Sequence, residues 1–144
     1  MLHQAPAQHI LVVDDETMIR EALKMLLIHE GHTVDLASDG SEALKKMAKQ
    51  KFDVVFTDLN MPEMRGDELT RRIRKEYPYQ VIVMISAYAN FLTLDQKQKI
   101  PVDFFINKPF ELPKIFQALE AAHQINKANK KSLEPSQTPS SVPT

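Results

Sequence analysis

Five short apolar runs, Ile10–Val13, Val34–Ala37, Phe52–Phe56, Val81–Ile85 and Val102–Ile106, recur along residues 9–126, with an amphipathic stretch after each. Rich in β-branched and aromatic residues and only four or five residues long, they read as strands. Several are apolar throughout instead of alternating, the pattern of strands covered on both faces in a parallel sheet. Between them, Ile19, Ala22, Leu23, Leu26 and Leu27 fall on one helical face, with Gly31 as a natural stop. Ala43, Leu44, Met47 and Ala48 form a second stripe, opened by Asp39 or Ser41 as its cap. Leu69, Ile73 and Tyr77 form a third that ends at Pro78, and Leu112, Ile115, Phe116 and Leu119 run into Ala122 as the last. Across Asn90–Lys99, Phe91, Leu92 and Leu94 do not settle a helical face. The expectation is an α/β fold, (βα)5: a doubly wound, five-stranded parallel sheet with helices on both faces and right-handed crossovers.

Sheets of this kind bind ligands beyond the carboxyl ends of their strands. Asp14 and Asp15 follow the first strand, Asp58 the third, Ser86 the fourth, and Lys108 with Pro109 the fifth. Three carboxylates in one cleft repel one another unless a cation neutralises them. Oxygen ligands without cysteine favour a hard ion, so Mg²⁺ or Mn²⁺ is the natural guest. A carboxylate can also attack phosphorus to give an aspartyl phosphate. That chemistry needs positioning and positive charge on the equatorial oxygens, which the metal and Lys108 supply, with Ser86 as a further donor.

The segments ILVVDDE, DLNMPEMRG, ISAY and FFINKPF, with 43 residues from Asp15 to Asp58, 28 more to Ser86 and 22 more to Lys108, carry a resemblance. In order and spacing they resemble the receiver domain of bacterial two-component response regulators, over roughly residues 9–125. The resemblance implies a flavodoxin-like, CheY-like sheet of order 2-1-3-4-5. It makes Asp58 the phosphoacceptor, attacking the phosphohistidine of a histidine kinase or histidine phosphotransfer protein. Asp15 and Asp58 would bind the metal directly, Asp14 through a water, and Asn60 through its backbone carbonyl. Lys108 would pair with the phosphoryl group, its bond to Pro109 being cis, and Ser86 would move onto that group after transfer. Phe105 stands at the family's aromatic switch position and implies control of the face formed by the fourth helix, fifth strand and fifth helix. It lacks the hydroxyl of the tyrosine found in many relatives, so such a switch works through packing alone. Tyr88 stands where a ring gates water access to the phospho-aspartate. Ile100-Pro101-Val102-Asp103 replaces a glycine-bearing turn common in the family.

The rest of the chain bounds the reading. With 144 residues there is room for one ordinary domain. Met1–Gln8 shows no signal-peptide pattern and is expected to be a disordered N-terminus before a domain over residues 9–126. Residues 127–144, with three prolines and little to bury, read as a disordered tail or linker. Without that tail, 15 basic face 18 acidic side chains, a mildly acidic domain with no footprint for nucleic acid. The absence of cysteine excludes disulfides, thiolate zinc sites and cysteine nucleophiles, and no apolar run is long enough to span a membrane. Arg65, Arg71, Arg72, Arg74 and Lys75 alternate with acids and read as a solvated helix face. His29 and His32 flank Gly31 across a helix end and are not read as a metal pair. The expected function is a cytoplasmic signalling switch rather than a turnover enzyme, capable of self-phosphorylation from a phosphodonor and slow autodephosphorylation only. It acts on an effector protein or on an output domain not encoded here. The rival is a Mg²⁺-dependent aspartyl-phosphate phosphatase or phosphotransferase, which usually needs a second acid two residues after the nucleophile, where this chain has Asn60. A receiver-like binding module that works without phosphorylation is the third reading.

Overall fold

The computed structural model describes residues 6–87 and 89–133. Its elements alternate as β1 (His9–Val13), α1 (Thr17–His29), β2 (Thr33–Ala37), α2 (Gly40–Lys49), β3 (Val54–Asp58), α3 (Gly66–Glu76), β4 (Val81–Ser86), α4 (Leu94–Gln98), β5 (Phe104–Asn107) and α5 (Leu112–Leu133), with a 3₁₀ turn at Ala89–Phe91 before α4. All strand pairs are parallel and the sheet order is β2-β1-β3-β4-β5. The period of two sorts the strands onto two cores. Ile10, Val12, Val54, Phe56, Val83 and Ile85 pack with Leu23 and Leu27 of α1 and with Ile115, Leu119 and Ala122 of α5. Leu11, Val13, Val55 and Ile82 pack on the other face with Ala43 and Met47 of α2 and Leu69 and Ile73 of α3.

Local signals explain most helix ends. Asp39, not Ser41, caps α2, its side chain accepting from the Glu42 N–H at 2.8 Å. Gly31, at φ 94°, closes α1 with two turn-back bonds, Gly31 N–H to the Ile28 carbonyl and His32 N–H to the Leu27 carbonyl. Ala22, counted on the inner face of α1, is exposed. α4 is only five residues long, started by a capping box between Thr93 and Gln96.

Both expected domain limits move. Gln8 is buried rather than part of a loose N-terminus: its N–H donates to His32 Nδ1 at 3.0 Å and its Nε2 to the Leu119 carbonyl at 3.0 Å. α5 continues through Lys127 to Leu133, past the expected start of the tail. The lysines and Ala128 there are good helix formers, and Asn126 Nδ2 anchors the helix to the Asp53 carbonyl at 2.9 Å. Residues 134–144 lie outside the described residues. The arginine cluster also divides: Arg65, Arg71 and Arg72 pair with Asp67 and Glu68 on the α3 surface. Arg74 instead donates to the carbonyls of Pro78, Gln80 and Pro101 and reaches Asp103. Asp103 in turn accepts the Ile82 N–H at 2.8 Å, so this pair sets the start of β5 where the sequence lacks a glycine turn.

His32 gives the fold a pH dependence. Burial pushes its imidazole below the ordinary value, against the opposing charges of Glu30 and Asp53. Nδ1 already accepts a backbone N–H, so protonation there costs that bond. The unfolded chain therefore takes up the proton first. The His32 contribution to stability is complete above the ordinary histidine pKa of about 6.5 and is lost as pH falls from there through the folded value. The urea midpoint is expected to fall more steeply between pH 7 and 5 in the parent than in His32→Asn; equal slopes would contradict this role.

Candidate functional site

Asp14, at the end of β1, is held by its N–H on the Ala37 carbonyl at 3.1 Å, while Arg20 of α1 donates to the Asp14 carbonyl at 2.6 Å. The Asp14 side chain accepts the Glu16 N–H at 2.9 Å, which turns the chain into α1. Asp58, the last residue of β3, accepts the N–H of Leu59 on Oδ1 at 2.8 Å. From the loop after β5, Lys108 sends Nζ to Asp14 Oδ2 at 2.9 Å, Asp58 Oδ2 at 3.3 Å and Glu16 Oε1 at 3.4 Å. Asp14 and Asp58 are buried, and the Lys108 side chain is only 12% exposed. The Lys108–Pro109 bond is cis.

This packing sets the electrostatics. Burial, with the Asp14 charge beside it, raises the Asp58 carboxyl above the usual carboxylate range, although the Lys108 ammonium and the Leu59 N–H act in the other direction. Burial alone would lower Lys108; its hydrogen bond to Asp14 and the charge of Asp58 outweigh this and raise it.

An open cavity of about 250 Å³ lies over the pair, lined by Asp15, Glu16, Asp58, Asn60, Ala87 and Lys108. One carboxylate oxygen each from Asp14, Glu16 and Asp58 comes within 4.8 Å of the others. An all-oxygen set of this kind fits a hard divalent cation. Of the three carboxylates expected from the sequence, Asp14 and Asp58 belong to this group. Asp15 is exposed on the cavity wall, and Glu16, not anticipated as a site residue, joins Asp14 and Asp58 in the group. Ser86 is fully buried at the end of β4, and its carbonyl accepts the Lys108 N–H at 3.0 Å. Asn60 lines the cavity, its Oδ1 accepting from Arg65 at 3.3 Å. Phe105 is half-buried on β5, away from the cavity. Tyr88 lies outside the described residues.

Gly66 is the positioning residue that sequence reasoning passed over, although it closes the DLNMPEMRG segment. A Cβ there would stand 2.0 Å from the Asp58 carbonyl oxygen and 2.8 Å from Leu59 Cα. The N-terminus of α3 thus rests directly on the backbone of Asp58, with the Gly66 N–H on the Leu59 carbonyl at 2.7 Å. The loop between them turns through Glu63, at φ 68°, under a Met64 N–H to Pro62 carbonyl bond of 2.8 Å. This is a γ-turn, a strained form of tight turn.

A doubly wound parallel sheet with a buried aspartate, a lysine and an acidic cluster at its carboxyl edge defines a two-component receiver architecture. The chain belongs to the response regulator receiver domain family, whose model matches residues 10–120. Phosphoryl acceptance is the general function of that family. The chain is 37% identical over 109 residues to the transcriptional regulatory protein ResD of Bacillus subtilis, covering 76% of this chain and 45% of ResD. It is 31% identical over 114 residues to the transcriptional regulatory protein GlrR of Escherichia coli, covering 79% of this chain and 26% of GlrR. It therefore spans less than half the length of these two curated relatives. Among solved structures it is similar to the response regulator TrrA of Thermotoga maritima in complex with Mg²⁺–BeF, with TM-score 0.72 and 34% identity over 80% of this chain and 98% of TrrA. No helix among the described residues is long and apolar enough to cross a membrane.

Proposed function

We propose that this chain takes a phosphoryl group onto Asp58 from the phosphohistidine of a histidine kinase or phosphotransfer protein. The observation that carries this reading is the buried Asp58 carboxylate, open to a small cavity and faced by Lys108 at 3.3 Å. An Asp58 oxygen forms the bond to phosphorus as the phosphorus–nitrogen bond breaks, and the electron pair leaves with the imidazole nitrogen. Lys108 would bind a phosphoryl oxygen, and Ser86, buried at the end of β4, would move onto another after transfer. Asp14, Asp15 and Asp58, the Asn60 carbonyl and, from its place in the cluster, Glu16 are the groups available to Mg²⁺. When bound, the ion supplies positive charge to the phosphoryl oxygens. The chain then works as a switch that slowly hydrolyses its own acyl phosphate, not as a turnover enzyme. Its output passes from the α4-β5-α5 face, through Phe105, to an effector protein or an attached output domain in the cytoplasm.

Beryllofluoride, a phosphoryl mimic, tests this directly. A bound ¹⁹F resonance is expected for the parent with Mg²⁺ and beryllofluoride, and none without Mg²⁺ or in Asp58→Asn. A bound signal that persists in Asp58→Asn would place the anion elsewhere and overturn the assignment.

A further inference from the structure

Phe105 has no hydroxyl, so no hydrogen bond can hold its ring in either of two positions. The structure shows what touches the ring instead. The Thr93–Gln96 capping box fixes the start of α4, and one turn later this brings the half-buried Lys97 side chain back onto β5. Lys97 Nζ sits 5.4 Å from the centroid of the Phe105 ring, within the range of a cation–π contact. Among the described residues, no carboxylate is paired with this ammonium. The nearby Lys99 is the one that pairs with Asp95, at 3.3 Å. Phe105 also lines an open cavity of about 320 Å³ with Phe104, Ile106, Lys114, Gln117, Ala118 and Ala121. The ring therefore has a cation on its α4 side, while an open cavity lies between β5 and α5. Among the described residues β5 is the edge strand of the sheet, with β4 as its one neighbour.

We propose that Lys97 is the positioning residue of this switch: its ammonium holds the Phe105 ring against α4 and so biases the α4-β5-α5 face towards the unphosphorylated state. A cation here does what a tyrosine hydroxyl cannot do in this chain. The contact couples α4 to the strand that leads to Lys108. Loss of the charge frees the ring and loosens α4. The holding contact stands on the geometry alone; its effect on signalling rests on the function proposed above.

The test is aromatic side-chain NMR on the full chain labelled at phenylalanine, with Phe105 assigned through Phe105→Leu. Without any phosphodonor, Lys97→Met is expected to shift the Phe105 ring signals while the core Phe56 signal stays in place. Lys97→Arg, which keeps a cation over the ring, is expected to keep the parent shifts. Parent-like Phe105 signals in Lys97→Met, or equal shifts in the arginine and methionine variants, would overturn the proposal. A beryllofluoride titration with Mg²⁺ then reads the switch, and the midpoint of Lys97→Met is expected about 2- to 5-fold below the parent's. An unchanged midpoint would overturn the regulatory part. A parent that binds no beryllofluoride at all would overturn the phosphoacceptor reading and the regulatory part with it, while the ring shifts still decide the contact.

Discussion

Lys108→Met should be among the most damaging single substitutions in this chain at neutral pH. The ammonium stands between two buried carboxylates, at 2.9 Å from Asp14 and 3.3 Å from Asp58, and also reaches Glu16. Removing one partner from a buried ion pair leaves uncompensated charge and costs about 3–5 kcal/mol. The adjoining cavity admits water, which places the expected loss near the lower end, about 3 kcal/mol. The pH dependence separates this from simple loss of packing. In the parent, Lys108 is raised by folding, so its contribution is complete below its ordinary value and fades only as alkaline pH passes through the folded one. In the variant, the main influence holding Asp58 down is gone, and its carboxyl moves further up. The deficit is then largest at pH 7 and shrinks towards pH 4.5, as a proton relieves the repulsion between Asp14 and Asp58. Urea unfolding at the two pH values checks this, and parent-like stability at pH 7 would contradict it. Labelling from a small-molecule phosphodonor should also slow by about 10²–10³-fold, the usual effect of losing one preorganised charge at a reacting group.

Gly66→Ala is the second large effect, and it acts without any change of charge. The added methyl would meet the Asp58 carbonyl oxygen at 2.0 Å, the Leu59 Cα at 2.8 Å and the Asp58 carbonyl carbon at 2.9 Å. All three are backbone atoms next to a buried strand and cannot swing aside. α3 must lift away, which breaks the bond from the Gly66 N–H to the Leu59 carbonyl and moves Asp58 relative to Lys108. Overpacking of this severity costs about 3 kcal/mol or more, a large share of the about 5–15 kcal/mol that holds a domain folded. The same substitution at Gly40 supplies the comparison. There the new methyl meets only the side chain of Met64, whose sulfur is 2.5 Å away and free to rotate. Thermal unfolding is expected to show a drop of about 10 °C for Gly66→Ala and a few degrees for Gly40→Ala. Equal drops would mean that the contact with Asp58 is not the cause.

The strands and the site were legible to different depths. Hydropathy showed that Phe52 and Val102 belong to apolar runs but not that pairing begins two residues later in each case, at Val54 and Phe104. Phe52 is buried all the same, tilted against the His9 ring at 4.4 Å, because burial does not require a ladder bond. The sheet order came with the family resemblance, since periodicity carries no information about which strands are neighbours. Asp14 was readable as the first polar residue after an apolar strand, and Asp58 and Lys108 as charges one residue past Thr57 and Asn107. Glu16 was not, because its part depends on where the Lys108 side chain arrives. Gly66 sits in plain view in the sequence, but a glycine that opens a helix looks like any weak cap until its distance to Asp58 is known. α5 outran its expected end because helix propensity and the Asn126 anchor act together, and composition registers neither.

The most direct measurement is the intact mass of the chain after incubation with acetyl phosphate and Mg²⁺, with Asp58→Asn beside it. The account predicts one phosphoryl adduct on the parent, absent when Mg²⁺ is removed and absent from Asp58→Asn. An adduct of the same yield on Asp58→Asn, or no adduct on the parent from either acetyl phosphate or a phosphorylated histidine donor, would contradict it.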